Sequence, residues 1–70
     1  MEQTIQDIFE LTIKKMKEAG TFEHNDYKTL IEESIEYYRQ NGRLTDEDND
    51  EFIEDQLLDR WEQARDRLAK

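Results

Sequence analysis

One pattern recurs three times at a constant spacing of 22 residues, as DIFELTI at residues 7–13, TLIEESI at residues 29–35 and EFIEDQL at residues 51–57. Each copy carries two adjacent apolar residues, then a Glu, then an apolar residue three positions after that Glu. Apolar residues three and four positions apart lie on one face of an α-helix. The recurring pattern therefore predicts three amphipathic helices of similar design.

Two glycines predict where the helices end. Gly20 and Gly42 are the only glycines in the chain, and the same spacing of 22 residues separates them. An apolar residue follows each glycine at the second position, as Phe22 and Leu44. Glycine commonly closes a helix because it adopts the left-handed backbone conformation without a steric penalty. With these stops, we predict helices over about residues 3–19, 24–41 and 46–69.

The short turns between these helices predict the architecture. Helices joined by only a few residues pack as antiparallel neighbours. We therefore predict an all-α fold, a small three-helix bundle in which the helices run up, down and up. Thr45 is the expected N-cap of the third helix. At about 36 Å this helix is long enough to extend beyond the other two. The alternative is a helical hairpin whose third helix is completed by a second copy of the chain.

Composition limits the chain to a small globular class. Its 70 residues make one domain, which we place at residues 1–70. Because cysteine is absent, neither a disulfide nor a thiolate metal site can form. No apolar run approaches the roughly 20 residues of a membrane helix, and residues 1–4 lack the basic start and apolar core of a signal peptide. We therefore expect a cytoplasmic protein that does not bind membranes.

Charge is the second informative feature of the chain. There are 19 acidic residues against 10 Lys and Arg, so the net charge is −9. A chain of this charge repels nucleic-acid phosphates and is attracted to basic surfaces. We therefore expect no direct nucleic-acid binding, and any macromolecular partner should be a protein with a basic surface.

The acidic residues concentrate in the first part of the predicted third helix. Between residues 44 and 59 there are eight acids and no base. Five like-charged pairs lie four residues apart in this segment, and together they destabilise a helix by about 1–2.5 kcal/mol. Either this face is kept acidic for solubility, or it binds a basic partner. For the second interpretation the candidate residues are Glu47, Asp50, Glu51, Glu54, Asp55 and Asp59.

Leu11, Tyr37 and Trp61 are the apolar candidates for an interface. Aromatic side chains are enriched among the residues that dominate binding energy. The position of Leu11 in the predicted first helix faces solvent, away from the apolar face. Trp61 lies in the half of the third helix that would extend beyond the bundle. The alternative is that the aromatic rings enlarge a small core.

The chain lacks the residue sets that catalysis and metal binding require. It contains one His and one Ser, His24 and Ser34, which lie ten residues apart on or near one predicted helix. Two glycines cannot form a phosphate-binding loop. The alternating aspartates at residues 46–50 have the spacing of a calcium loop, but Glu51 occupies the position that requires glycine. We expect no enzyme activity, no metal and no cofactor.

Three functions remain compatible with these features. We favour a non-enzymatic protein-binding or regulatory module that holds a basic partner on the acidic side of the third helix. The first alternative is a DNA-mimic inhibitor or antitoxin-like protein, whose carboxylates would occupy a nucleic-acid-binding groove. The second is a homodimeric structural protein that pairs through an apolar row formed by Leu57, Trp61, Ala64 and Leu68.

Overall fold

A computed structural model describes residues 2–45 and 47–69, which form four α-helices and no strand. Helix α1 spans Glu2–Ala19, α2 spans His24–Gln40, α3 spans Asp50–Leu58 and α4 spans Trp61–Leu68. The all-α class is therefore confirmed. The first two predicted helices match α1 and α2 to within one residue at each end.

Contacts between side chains give the directions of α1 and α2. Thr12 and Ser34 are both fully buried, and their hydroxyl oxygens lie 3.1 Å apart. Nearer the start of α1, Asp7 accepts a hydrogen bond from Arg43, just beyond the end of α2. Residue numbers rise along α1 as they fall along α2, so the two helices form an antiparallel hairpin.

The hydrogen-bonding groups of the buried Thr12 and Ser34 hydroxyls also have partners. The Thr12 hydroxyl donates to the Ile8 carbonyl at 2.8 Å. Because that hydroxyl has only one hydrogen, we assign the Ser34 hydroxyl as the donor to the Thr12 oxygen. Within the described residues, no buried side-chain nitrogen or oxygen lacks a hydrogen-bond partner. This polar contact therefore fixes the register of the hairpin without leaving an unsatisfied group in the core.

Helices α3 and α4 together occupy the place of the predicted third helix. The Arg60 guanidinium donates to Glu2 and the Arg67 guanidinium donates to Glu10, so α4 runs parallel to α1. Its buried residue, Ala64, belongs to the same core as the residues of the hairpin. The up, down and up path of the chain is present, but the third arm consists of two helices.

The prediction of three helices is therefore wrong in its count. Asp59 and Arg60 separate α3 from α4, with φ and ψ of −65° and −18° for Asp59 and −93° and 14° for Arg60. Contacts with remote residues lie at this junction. The Arg60 guanidinium donates to Gln6 at 2.9 Å, and the Leu57 carbonyl accepts a hydrogen bond from the Tyr27 hydroxyl. Tertiary contacts of this kind override local helix propensity.

The start of the third arm also differs from the prediction. The Thr45 amide donates to the Asp48 carboxylate at 2.8 Å, which closes a turn and does not begin a helix. Asn49 is the N-cap of α3, and its side chain accepts a hydrogen bond from the amide three residues later at 3.1 Å. Residue 46, where we expected the helix to start, lies outside the described residues.

The two glycines close their helices as predicted. Gly20 has φ of 70° and Gly42 has φ of 75°, both in the left-handed region. The amide after Gly20 donates to the Met16 carbonyl at 3.1 Å, and the amide after Gly42 donates to the Tyr38 carbonyl at 2.9 Å. These bonds satisfy carbonyls that would otherwise lack partners at the helix ends.

One apolar core receives residues from all four helices and from the segment before α3. Its members are Ile5, Ile8, Phe9, Ile13, Met16, Tyr27, Ile31, Ile35, Tyr38, Leu44, Ile53, Leu57 and Ala64. The second apolar position of the repeated pattern occupies an equivalent place in all three copies, since Phe9, Ile31 and Ile53 are all buried. The equivalence fails after the glycines, because Leu44 is buried whereas Phe22 is 56% exposed.

Candidate functional site

The outward face of α3 and α4 carries a row of five exposed acids. They are Glu51, Asp55, Asp59, Glu62 and Asp66, spaced by four, four, three and four residues. Within each helix this spacing places them on the side opposite the buried residues, which are Ile53 and Leu57 in α3 and Ala64 in α4. We call the five residues the acidic stripe. At 1.5 Å per residue, the stripe is about 22 Å long.

The structure brings together only part of the predicted acidic set. The stripe includes three of the predicted candidates, Glu51, Asp55 and Asp59. Of the others, Glu47 is exposed in the segment before α3, and Glu54 is half-buried. The Asp50 carboxylate turns toward α2 and pairs with the Arg39 guanidinium. These three side chains therefore border the stripe or lie away from it.

Glu62 and Asp66 belong to the stripe but are absent from the predicted candidates. The net charge of the segment after residue 59 is positive, and this positive sum conceals the two acids. Their spacing from Asp59 carries the signal, because steps of three and four residues continue one helical face. The two acids are therefore visible in the spacing along one exposed helical face and not in the net charge of the segment.

The stripe carboxylates have no partner among the residues that the structure describes. In residues 2–45 and 47–69, none of the five makes a hydrogen bond or an ion pair. Arg65 is exposed on the flank of α4 and likewise makes no ion pair in the described part of the chain. This cation lies beside the α4 half of the stripe, whereas the sequence of α3 contains no basic residue.

Two acids of α1 show the opposite arrangement. Glu10 accepts two hydrogen bonds from Arg67, at 2.6 and 2.8 Å, and these bonds lower the pKa of its carboxyl group. Glu2 accepts a hydrogen bond from Arg60 at 2.7 Å. Each of these carboxylates is thus compensated by an arginine from the third arm.

Phe52 is the aromatic residue that borders the stripe. Its side chain is 50% exposed, although it occupies an apolar position of the repeated pattern. Helical spacing places it one turn before Asp55 and two turns before Asp59, at the edge of the stripe. An exposed ring beside unpaired carboxylates can contact apolar parts of a basic segment, including the methylene stems of Lys and Arg.

Of the predicted apolar candidates, Tyr37 is the one that the structure leaves open. Its side chain is 54% exposed on α2. Leu11 is half-buried and packs against the core, so the prediction that it faces solvent is wrong. Packing against the core therefore covers part of a residue that the helical pattern alone places outside.

Trp61 packs inward and does not extend beyond the bundle. Its ring lies 4.9 Å from the Tyr27 ring and 5.2 Å from the His24 ring, measured between centroids. Burial raises the pKa of Tyr27, whose side chain is fully enclosed. Trp61 remains half-buried, so it enlarges the core and leaves only one edge for a partner.

The apolar row considered for a homodimer is used within the chain. Leu57 and Ala64 are fully buried, and Trp61 and Leu68 are partly buried against the core. A row whose apolar surface already packs inside the molecule offers little area for a second copy.

Neither a cluster of metal ligands nor a membrane-spanning helix is found among the described residues. They contain no group of three or more His, Cys, Asp or Glu side chains that could hold a metal ion. An open depression of about 320 Å³ is lined by Phe22, Arg65, Leu68 and Ala69, which include no acid–base pair. In the same part of the chain, no helix is long and apolar enough to cross a membrane.

Comparison with known proteins gives no family or function. The chain matches no protein-family model, no curated protein and no solved structure. Any function must therefore be argued from the surface of the molecule itself.

Proposed function

We propose that this chain is a non-enzymatic protein-binding module that holds a basic partner on the acidic stripe. One observation carries the proposal: five exposed carboxylates share one face and receive no cation from the described part of the chain. A Lys- or Arg-rich helix or loop of a partner would supply those cations. As part of the same proposal, we expect the chain to lack enzyme activity and to act in the cytoplasm.

The energetics of the stripe support binding over solubility alone. Three like-charged pairs lie four residues apart on it, namely Glu51/Asp55, Asp55/Asp59 and Glu62/Asp66. Together they destabilise the arm by about 0.6–1.5 kcal/mol, in a domain whose total stability should be only a few kcal/mol. Solubility requires net charge, which acids spread over the surface would supply without this repulsion. A basic partner would relieve it on binding.

The DNA-mimic alternative receives less support from the geometry. Double-stranded DNA carries one charge per about 1.7 Å of its axis. The stripe carries five charges over about 22 Å, a density roughly two to three times lower. A surface of this density suits a basic helix, on which Lys or Arg recurs every three or four residues, better than a groove shaped for a duplex.

Affinity capture with three forms of the protein tests the proposal. The first is the native chain, and the second is a stripe variant with Glu51→Gln, Asp55→Asn, Asp59→Asn, Glu62→Gln and Asp66→Asn. The third is a matched control with Glu18→Gln, Glu23→Gln, Glu32→Gln, Glu33→Gln and Glu36→Gln, all exposed positions of the hairpin and its turn. Both variants lose five negative charges, so each changes the net charge from −9 to −4.

The comparison between the two variants decides the outcome. We expect mass spectrometry to identify a basic protein that the native chain and the matched control capture and the stripe variant does not. Elution of that protein by moderate salt would agree with an electrostatic contact. Equal capture by all three forms, or equal loss from both variants, would contradict a role for this particular face.

A further inference from the structure

The Tyr27 hydroxyl contacts the backbone of α3 where the third arm breaks. Tyr27 is fully buried on α2, and its hydroxyl donates to the Leu57 carbonyl in the last turn of α3. The same carbonyl accepts the Arg60 amide at 3.0 Å, a bond across three residues instead of four. In an uninterrupted helix this carbonyl would accept a hydrogen bond from the amide four residues later.

The regular hydrogen bonds across four residues are interrupted between the Asp59 amide and the Ala64 amide, a stretch that includes that carbonyl. The regular bond across four residues reaches the Asp59 amide, which donates to the Asp55 carbonyl at 3.0 Å. It resumes with the Ala64 amide, which donates to the Arg60 carbonyl at 2.9 Å. Neither Pro nor Gly occurs at the junction. A side chain inserted into the hydrogen-bond ladder is another known cause of a helix break.

We infer that the Tyr27 hydroxyl separates α3 from α4 and thereby positions Glu62 and Asp66 relative to the α3 half of the acidic stripe. The same side chain holds the first residue of α4, since the Tyr27 and Trp61 rings pack at 4.9 Å. Tyr27 is in this sense a positioning residue, buried beneath the arm whose outward face carries the acids. The first part of the inference, the separation of α3 from α4, is argued from the fold alone. The second part, the positioning of Glu62 and Asp66 for binding, rests on the proposed function.

The substitution Tyr27→Phe, which removes only the hydroxyl oxygen, tests whether that hydroxyl separates α3 from α4. In Tyr27→Phe the Leu57 carbonyl is free to accept the Trp61 amide, its partner in a continuous helix, so no buried acceptor is left unsatisfied. We expect the Cα chemical shifts of Asp59 and Arg60 to move toward helical values in NMR spectra. Amide hydrogen exchange at Arg60 and Trp61 should slow by about tenfold as the helix becomes continuous.

Tyr38→Phe is the matched control for this test. Tyr38 is a second buried tyrosine of α2, but its ring packs under the Arg43 guanidinium at 4.8 Å and not at the junction. We expect this control to leave the shifts and the exchange at Asp59 and Arg60 unchanged. Unchanged values in Tyr27→Phe as well would overturn the inference.

A measurement on the native chain decides the first part even if Tyr27→Phe does not fold. A hydroxyl proton held on the Leu57 carbonyl should exchange slowly and give a nuclear Overhauser effect to the Arg60 amide, which shares that acceptor. A Tyr27 hydroxyl that exchanges at the rate of an exposed tyrosine would overturn the inference.

Binding of a defined probe tests the second part. The probe is a synthetic helical peptide with Lys at alternating steps of three and four residues. By calorimetry, we expect Tyr27→Phe to weaken its binding by about two- to fivefold, the range for one or two surface ion pairs. The effect should vanish in the background of Glu62→Gln and Asp66→Asn, because those acids are what the junction positions.

The outcomes separate the two proposals. An effect of Tyr27→Phe that persists without Glu62 and Asp66 would overturn the positioning role. If the native chain binds the probe no better than the stripe variant does, the proposed function fails and the binding role of the junction fails with it. The NMR result would still decide whether the Tyr27 hydroxyl separates the two helices.

Discussion

Three acids of α1 and the acids of the stripe differ in what they contact. Glu2, Asp7 and Glu10 each accept a hydrogen bond from an arginine located beyond the end of α2 or in the third arm. The stripe carboxylates receive none within the described residues. The arginines therefore fasten later parts of the chain to α1, and the outward face is left uncompensated. That asymmetry, more than the net charge, is the basis on which we propose a partner for this face.

The largest expected effect on stability comes from comparing a buried position of the repeated pattern with an exposed one. Ile31 is fully buried, and Ile31→Ala should lower the free energy of unfolding by about 2–5 kcal/mol, enough to unfold much of the protein. Phe52→Ala, at a half-exposed position of the same repeated pattern, should change it by no more than about 0.5 kcal/mol. Urea unfolding followed by circular dichroism measures both, and similar losses would show that Phe52 belongs to the core.

The two helix ends that carry glycine should respond alike. A Cβ atom on Gly20 or Gly42 would meet no atom within 4 Å, so only the left-handed backbone opposes a larger residue. We expect Gly20→Ala and Gly42→Ala each to lower the free energy of unfolding by about 1–2 kcal/mol. Thermal unfolding of both variants checks this. A clearly larger loss in one of them would mean that the two turns are not equivalent.

Neutralising the stripe should stabilise the fold. The five substitutions of the stripe variant remove three like-charged pairs, so the free energy of unfolding should rise by about 0.6–1.5 kcal/mol. The matched control removes one pair four residues apart, Glu32/Glu36, and should gain less. Urea unfolding at low salt gives the difference, which should shrink as salt is added. A stripe variant less stable than the native chain would contradict the absence of partners for these carboxylates.

The smallest effect concerns the paired acids of α1. Because the Glu10 side chain is 44% exposed, we expect Glu10→Gln to lower the free energy of unfolding by only about 0.3–1 kcal/mol at neutral pH. The pKa of Glu10 in the folded state lies below its ordinary value of 4.5. Its carboxylate therefore stabilises the fold above that pH, and the contribution is lost as the pH falls through the lowered pKa. Urea unfolding over a pH series should show the native and variant curves converging in acid.

The parts of the fold that depend on local signals are those that the sequence predicts. Helix α1, helix α2 and the two left-handed glycines follow from the spacing of apolar residues and from the freedom of glycine. The buried equivalence of Phe9, Ile31 and Ile53 follows from the same repeated pattern. Each of these features depends on residues within a few positions of one another.

The parts that the sequence does not predict depend on remote contacts. The break at Asp59 involves Tyr27, 30 residues earlier in the chain. The partial burial of Leu11 depends on residues of the core against which it packs. The pattern of one helix does not contain these neighbours. Of the candidate site, the α3 half of the stripe follows from the density of acids, whereas its α4 half emerges only when exposed faces are compared.

Binding of the Lys-bearing helical peptide to the native chain, the stripe variant and the matched control tests the role of the stripe most directly. Calorimetry at several salt concentrations would give the affinity and its salt dependence for each form. We predict that the native chain and the matched control bind with similar affinity, and that the stripe variant binds about tenfold or more weakly with a shallower salt dependence. Equal affinities for the stripe variant and the matched control would contradict a binding role for the acidic stripe.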